Sequence, residues 1–237
     1  MKWKIHHKPK FEYESSYSDL GGPWSGHKYF AYDLVRAVQP KHIVELGSHL
    51  GCSLFSMAQA VKDTSLTTRI DAVDTWKGDE HAGFYSEEVY ETVQRIKKTV
   101  YPKQHINLVR MTFDEARKKY KKNSIDILHI DGLHTYEGVK HDFDTWIDAV
   151  HEDGIVLFHD TAVKKWGFGI YKLWDELKKD YATIDFPHSF GLGVLFKNRE
   201  SYSEYIGSMG LLLQAYYTAW ATAREYRFRW RQKRLKQ

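Results

Sequence analysis

Five short apolar runs, rich in β-branched residues, recur between residues 42 and 160 with helical patterns between them. The runs are HIVELG (42–47), RIDAVDT (69–75), INLVRM (106–111), IDILHID (125–131) and GIVLFHD (154–160). Helix-like segments lie near 50–61, 86–98, 113–120, 137–149 and 168–179. Near-continuous apolar strands that alternate with helices call for a parallel sheet covered on both faces. Two later runs, YATIDF (181–186) and GLGVLFK (191–197), are joined through Pro and Gly. That link is too short for a crossover helix, so the pair reads as an antiparallel hairpin. The expected fold is therefore α/β: a doubly wound, mostly parallel, seven-stranded sheet with an antiparallel C-terminal hairpin.

A chain of 237 residues is long enough for one sizeable α/β domain. Its net charge of +4 implies no global attraction to nucleic acid or membrane. The aromatic share of 15% exceeds what a core alone needs and suggests rings at a pocket or interface. Cys52 is the only cysteine, which excludes an internal disulfide and fits a reducing, cytoplasmic setting. The start, MKWKIHHKPKF, is basic without an apolar h-region, and no stretch of about 18 apolar residues follows.

Ahead of the sheet, HKYFAYDLVRAV (27–38) reads as an opening helix after the turn-rich GGPWSG. Beyond Asn198, Tyr202, Ile206, Met209, Leu213, Tyr216, Trp220 and Ala223 recur at spacings of four and three. That is the period of a long helix whose seam packs on a partner, either a second copy or another domain. Its end, REYRFRWRQKRLKQ, is basic; a solvated tail is the ordinary reading, and contact with an anionic membrane surface the less ordinary one.

Two patterns suggest a ligand. In VELGSHLGCS (44–53) a strand runs through a glycine turn into a helix. Such a turn offers free backbone N–H groups and close approach at Gly47 and Gly51. It lacks the three glycines of a pyrophosphate cradle, and Glu45 beside it suits a cationic ligand better than a diphosphate. An ordinary strand–helix turn explains the glycines equally well. In DAVDTWKGD (71–79), Asp74 ends the second strand, where a carboxylate can accept from both ribose hydroxyls. A helix-capping Asp with Thr75 is the structural alternative.

E-x-G-x-x-x-G-x-S followed by Asp at the end of the second strand resembles the class I S-adenosylmethionine (SAM)-dependent methyltransferases, which are Rossmann-like. VDTWKGDEHAGFY, HIDGLHTYEGVKHDF and GIVLFHDT are similar to one branch of them, the macrocin-type sugar O-methyltransferases and their relatives in bacterial glycan pathways. The resemblance covers roughly residues 20–198. It implies an N-terminal segment with the opening helix over 1–40, a SAM-binding methyltransferase domain over 41–198, and an amphipathic basic helix over 199–237. It further implies that Glu45, Gly47, Ser48, Gly51 and Ser53 line the methionine end of the cofactor. Asp74 and Thr75 would hold the ribose, Thr112 and Phe113 would lie near the adenine, and Asp131 would border the site. Cys52 has no implied role beyond helix packing.

In such a fold the fourth and fifth strands are neighbours, so Asp131 and Asp160 end about 4.8 Å apart. Two carboxylates that close repel, or share a proton, unless a cation lies between them. Mg²⁺ takes such oxygen ligands and keeps positions open for substrate oxygens. The structural alternative has Asp131 capping a turn and Asp160 paired with Lys164. Thr161 stands where many metal-dependent relatives carry Asn or Asp, which leaves the third ligand open, with His159 as a substitute. His134, one turn beyond Asp131, is by resemblance the base that takes the hydroxyl proton; a histidine bonded to a backbone carbonyl is the alternative. His129 reads as a strand packer, and His141 and His151 as solvated helix positions. The loop 76–88 reads as a lid or a simple connector, and Trp24, Tyr29 and Trp166 as packing or substrate-facing rings.

The expected activity is O-methylation of a hydroxyl on a sugar- or glycan-containing acceptor, with SAM and Mg²⁺. A nicotinamide (NAD) oxidoreductase is disfavoured by the missing third glycine and by the hairpin. A nucleic-acid amino methyltransferase is disfavoured because no two prolines are adjacent. A non-catalytic module using the C-terminal helix is disfavoured by Asp74, Asp131, His134 and Asp160.

Overall fold

The apolar runs form strands because alternate residues serve opposite faces of one sheet, and both faces are covered. The computed structural model describes residues 3–7, 9–16, 22–79 and 83–235, with side chains to Arg224. The strands are β1 (His42–Leu46), β2 (Arg69–Asp74), β3 (Gly78–Asp79), β4 (Gly83–Phe84), β5 (His105–Arg110), β6 (Ile125–Ile130), β7 (Val150–His159), β8 (Ala182–Phe186) and β9 (Leu192–Phe196). Seven of them make one sheet in the order β5-β2-β1-β6-β7-β9-β8. Only β9 runs against the rest, between β7 and β8, so the expected hairpin is present at the sheet edge. The strand order reverses between β1 and β6, and open α/β sheets bind ligands at that switch point. β3 and β4 form a separate ribbon within the loop read as a lid or connector; residues 80–82 of that loop lie outside the described residues.

The helices are α1 (Lys28–Val38), α2 (Cys52–Thr64), α3 (Glu87–Val100), α4 (Phe113–Arg117), α5 (Tyr136–Trp146), α6 (Ile170–Leu177), α7 (Arg199–Tyr205) and α8 (Gly210–Leu235). Ile43, Ile70, Ile127 and Ile155 face α1, α2, α3 and the C-terminal segment. Val44, Val73, Leu128 and Val156 face α4, α5 and α6. Each such side chain, fully buried, contributes roughly 1.5–3 kcal/mol. Register carries this alternation across the sheet, with Val44 opposite Leu128 and Leu128 opposite Val156.

The C-terminal seam is not one continuous helix. Gly207, in the left-handed region at φ +53, separates α7 from a 3₁₀ turn and then α8. The seam also meets this chain's own core. Ile206 and Leu213 of the expected seam are buried, and Tyr202, Met209 and Tyr216 are partly buried against the same core. Farther along α8 the buried residues are Tyr217 and Ala221, one position past the expected Tyr216 and Trp220, and Ala223 is exposed. Tyr217 donates to Asp33 of α1, and Trp3 donates to Tyr217 at 3.1 Å. Leu211 and Leu212 remain exposed on the other side. The side chains of the basic tail from residue 225 onward lie outside the described residues. No helix among the described residues is long and apolar enough to cross a membrane.

Candidate active site

At the carboxyl ends of β1, β2, β6 and β7 lies a cavity of about 770 Å³, within the roughly 300–1,000 Å³ range of small-molecule sites. Gly47 leaves β1 at φ +87, and a Cβ there would lie 2.0 Å from the Asp131 carbonyl oxygen. Glycine is therefore what lets the exits of β1 and β6 touch. Gly51, at φ +80, precedes α2, and a Cβ would strike the Phe55 ring at 2.6 Å.

Asp74 fixes the turn between these glycines. Its Oδ2 accepts from the backbone N–H of Ser48 (2.8 Å) and His49 (3.0 Å), and its Oδ1 from Trp76 N–H (2.7 Å). A carboxylate has about four lone-pair sites, so room for a further donor remains on the cavity side. Ser48, Ser53, Thr75, Thr112 and Phe113 line the same space. Thr112 caps α4 in a reciprocal box with Glu115, which holds the Phe113 ring beside Gly132.

Glu45 and Gly51 stand behind the cavity wall rather than on it. Glu45 pairs in register with His129 on β6, so the two side chains share one face of the sheet. It accepts from Ser48 Oγ (2.7 Å) and from His129 Nδ1 (3.1 Å). Trp24 Nε1 can only donate, and it does so to His129 Nε2 at 3.2 Å. The proton of His129 therefore sits on Nδ1, facing Glu45. The buried acid is thus satisfied by neighbours that the linear sequence does not place beside it.

Opposite the glycine turn, Asp131 and Asp160 follow directly on β6 and β7. His134 Nε2 lies 2.9 Å from Asp160 Oδ2 and 3.9 Å from Asp131 Oδ1. Ligand atoms of all three residues fall within 4.8 Å of one another, and Asp160 Oδ1 is buried with no hydrogen-bond partner among the described residues. Asp160 is itself left-handed at φ +63, a conformation that costs about 1–3 kcal/mol and clusters at ligand sites. Lys164 lies over the Tyr171 ring, so the alternative of an Asp160–Lys164 pair does not hold; Asp160 meets His134 and His159.

His159 Nδ1 sits between the carboxylates, 3.3 Å from Asp131 and 3.4 Å from Asp160, while its Nε2 donates to the Ser189 carbonyl at 3.2 Å. Burial opposes its protonation, but the charges of Asp131 and Asp160 outweigh burial and raise its pKa well above the ordinary value. Burial likewise opposes protonation of His134, and the Asp160 hydrogen bond with the Asp131 charge raises it. Asp160 is held well below the usual carboxylate range, burial being overcome by His159 and His134.

Several lining residues were not legible in sequence. His49 and Tyr85 pack at a tilt with ring centres 4.5 Å apart, and Phe168 and Phe190 also line the cavity. Nothing in their spacing marks them, because loops from different parts of the chain bring them together. Cys52 lines the cavity at the start of α2. Tyr29 faces away, packed on Phe11 and Trp220. His151 lies at the exposed start of β7 and not on a helix; His141 is on α5, paired with Asp114 at 2.8 Å.

The reversing sheet, the glycine turn, the acid ending β2 and the cavity at the switch point together make a Rossmann-like ligand-binding arrangement. Residues 44–161 match the family profile described as a methyltransferase domain. The chain is 44% identical over 185 residues to the uncharacterized protein y4gI of Sinorhizobium fredii, which covers 77% of this chain and 20% of that protein. The chain thus spans about a fifth of the length of that curated relative. Among solved structures, it superposes on the SAH-bound methyltransferase PaMTH1 of Podospora anserina with a TM-score of 0.56 at 16% identity, covering 72% of this chain and 77% of that one. It superposes equally, with a TM-score of 0.56 at 11% identity, on the O-methyltransferase TomG of Streptomyces achromogenes in complex with SAM, covering 79% and 90%. At these identities the likeness to solved structures shows the fold.

Proposed function

We propose that this chain is a SAM-dependent O-methyltransferase that acts, with Mg²⁺ assistance, on a hydroxyl of a sugar, glycan or natural-product intermediate. The observation that carries this reading is one cavity with two chemically different ends. Asp74 and the glycine turn form one end, and His134, hydrogen-bonded to Asp160 at 2.9 Å, forms the other. The methyltransferase-domain match supports the cofactor, and the strings HIDGLHTYEGVKHDF and GIVLFHDT support the sugar branch.

SAM, when bound, supplies an electrophilic methyl group on a sulfonium. The chain's own residues do the rest. Ser48, Asp74 and Phe113 hold the donor at one end. Asp131 and Asp160 fit a divalent ion: they are oxygen donors within reach of one another, and Asp160 Oδ1 lacks a partner among the described residues. A hard cation held by Asp131 and Asp160 would supply Lewis-acid polarisation of the acceptor hydroxyl. His134 takes the hydroxyl proton as the new C–O bond forms and the C–S bond breaks. Positioning of two reactants in line supplies much of the rate.

Calorimetry with S-adenosylhomocysteine tests the cofactor. Mass spectrometry of nucleotide sugars and glycan fragments incubated with labelled SAM and Mg²⁺ tests the acceptor, with gain of one labelled methyl on oxygen expected. Labelling on nitrogen alone would overturn the reading.

A further inference from the structure

Two loops beside the cavity present bulky aromatic residues in left-handed backbone; Phe168 and Phe190 line the cavity, and Trp166 packs against both from outside that lining. Trp166 has φ +59 and is followed by Gly167 at φ +76; Phe190 has φ +70, between Ser189 at φ +50 and Gly191 at φ +95. The left-handed region costs a residue with a side chain roughly 1–2 kcal/mol, and such outliers cluster at ligand clamps. Trp166 is nevertheless 58% exposed and Phe190 40% exposed. Solvent gains nothing from this arrangement.

The loops are held in place by the site itself. The Ser189 carbonyl accepts from both His27 Nε2 (3.1 Å) and His159 Nε2 (3.2 Å), and the Phe190 carbonyl accepts from Ala162 N–H at 2.9 Å. On the other loop, Gly169 N–H donates to the His134 carbonyl at 2.8 Å. The rings then form a continuous surface. Trp166 lies 6.0 Å from Phe190 and 6.0 Å from Phe168, and Phe168 stacks on His134 with centres 4.5 Å apart at 16°. The surface leads directly to the proposed base.

We infer that Trp166, Phe168 and Phe190 form an acceptor subsite that stacks on the apolar face of a pyranose ring and delivers one of its hydroxyls to His134. This rests on the O-methyltransferase reading of the same cavity. The tilts of 55° and 67° between Trp166 and its neighbours make an angled wall, not a parallel slot for a planar ring. A pyranose offers C–H groups on one face and hydroxyls around its rim. Lys165 Nζ lies 4.0 Å from the Trp166 ring centre, and the residue stays 58% exposed, so ring surface remains for a sugar. Ser25 and Asp79 are polar residues lining the same cavity.

Saturation-transfer NMR tests the subsite, with the methyl glycosides of glucose, galactose and mannose, and catechol as the planar comparator, in the presence of S-adenosylhomocysteine and Mg²⁺. At least one glycoside should show saturation of its ring C–H protons. Trp166→Ala should weaken that glycoside's affinity about tenfold, the upper worth of a ring–ring contact, and Trp166→Phe should restore most of it. S-adenosylhomocysteine binding should be the same in all three proteins. An unchanged glycoside signal in Trp166→Ala, no glycoside signal in a wild-type protein that binds S-adenosylhomocysteine, or binding of catechol alone would each overturn the subsite. Wild-type protein that fails to bind S-adenosylhomocysteine sinks the methyltransferase reading instead, and the subsite then stands or falls on the glycoside signal alone.

Discussion

Gly47 and Asp131 meet backbone to backbone: the carbonyl oxygen of Asp131 occupies the space 2.0 Å from where a Gly47 Cβ would be. The contact ties the glycine turn to the acidic cluster, because Gly47 opens the one and Asp131 opens the other. Gly47→Ala must therefore displace backbone at a position already left-handed at φ +87. A loss of about 1–3 kcal/mol is expected, which lowers the melting temperature by roughly 2–12 °C for a chain of this size. Calorimetry on the same variant should show S-adenosylhomocysteine affinity falling as well; normal affinity and stability would mean that the contact tolerates a methyl group.

Asp74 has two duties in this geometry, since three backbone N–H groups already converge on it. Asp74→Ala leaves the Ser48, His49 and Trp76 amides without their acceptor. Binding of S-adenosylhomocysteine should weaken by about 1–3 kcal/mol, the worth of lost hydrogen bonds to a charged group. Thermal stability should fall alongside it. Weakened binding with unchanged stability would assign Asp74 to the ligand alone.

Much of the sheet was legible because its strands are buried on both faces and so read as apolar runs such as HIVELG and GIVLFHD. The cluster of Asp131, His134 and Asp160 was legible too, since a strand that ends on a charge in an apolar context needs a partner. The side-chain direction of Glu45 was not, because it depends on register with His129, a residue 84 positions away. The role of His159 was hidden for the same reason: its place between two carboxylates depends on Ser189 fixing the far ring nitrogen. The break at Gly207 was hidden by a periodicity that continues through it, because α7 and α8 both pack on the same core. Phe168 and Phe190 belong to loops, where spacing carries no signal.

Asp142 gives a pH dependence of stability. It is buried on α5, with a carboxyl oxygen near Gly132, and burial pushes its pKa up to about 7, the His141 charge offsetting a part and the Asp114 charge adding to it. Its unfolded value is about 3.9. The folded state therefore holds a proton that the unfolded state has released between these two values. Stability on this account is fully present below about pH 4 and is lost as pH rises through 7. Asp142→Asn, which never ionises, should unfold at a higher temperature than wild type at pH 8, by the equivalent of a few kcal/mol. The difference should shrink steadily as pH falls toward 4. Melting curves from pH 4 to 9 that run parallel for the two proteins would show that Asp142 does not titrate in this range.

The acidic cluster should divide its work between oxygen and nitrogen. A hard divalent ion prefers carboxylate oxygens, so in the proposed function Asp131 and Asp160 would hold it and His134 would be left to move the proton. With Mn²⁺ as a paramagnetic probe, Asp131→Asn and Asp160→Asn should each bind the ion more weakly while retaining S-adenosylhomocysteine, whose proposed site is at the Asp74 end of the cavity. His134→Ala should keep both ligands and lose roughly 10²- to 10⁴-fold in turnover, the usual worth of a general base. The competing arrangement is the one in which the imidazole of His159 alone neutralises the two carboxylates, at 3.3 Å and 3.4 Å. In that case wild-type protein binds no Mn²⁺, chelator leaves turnover unchanged, and His159→Ala costs more stability than either acid-to-amide change, because it removes the imidazole between the buried Asp160 and the partly exposed Asp131. Electron paramagnetic resonance of the wild type, measured before any variant is made, separates the two.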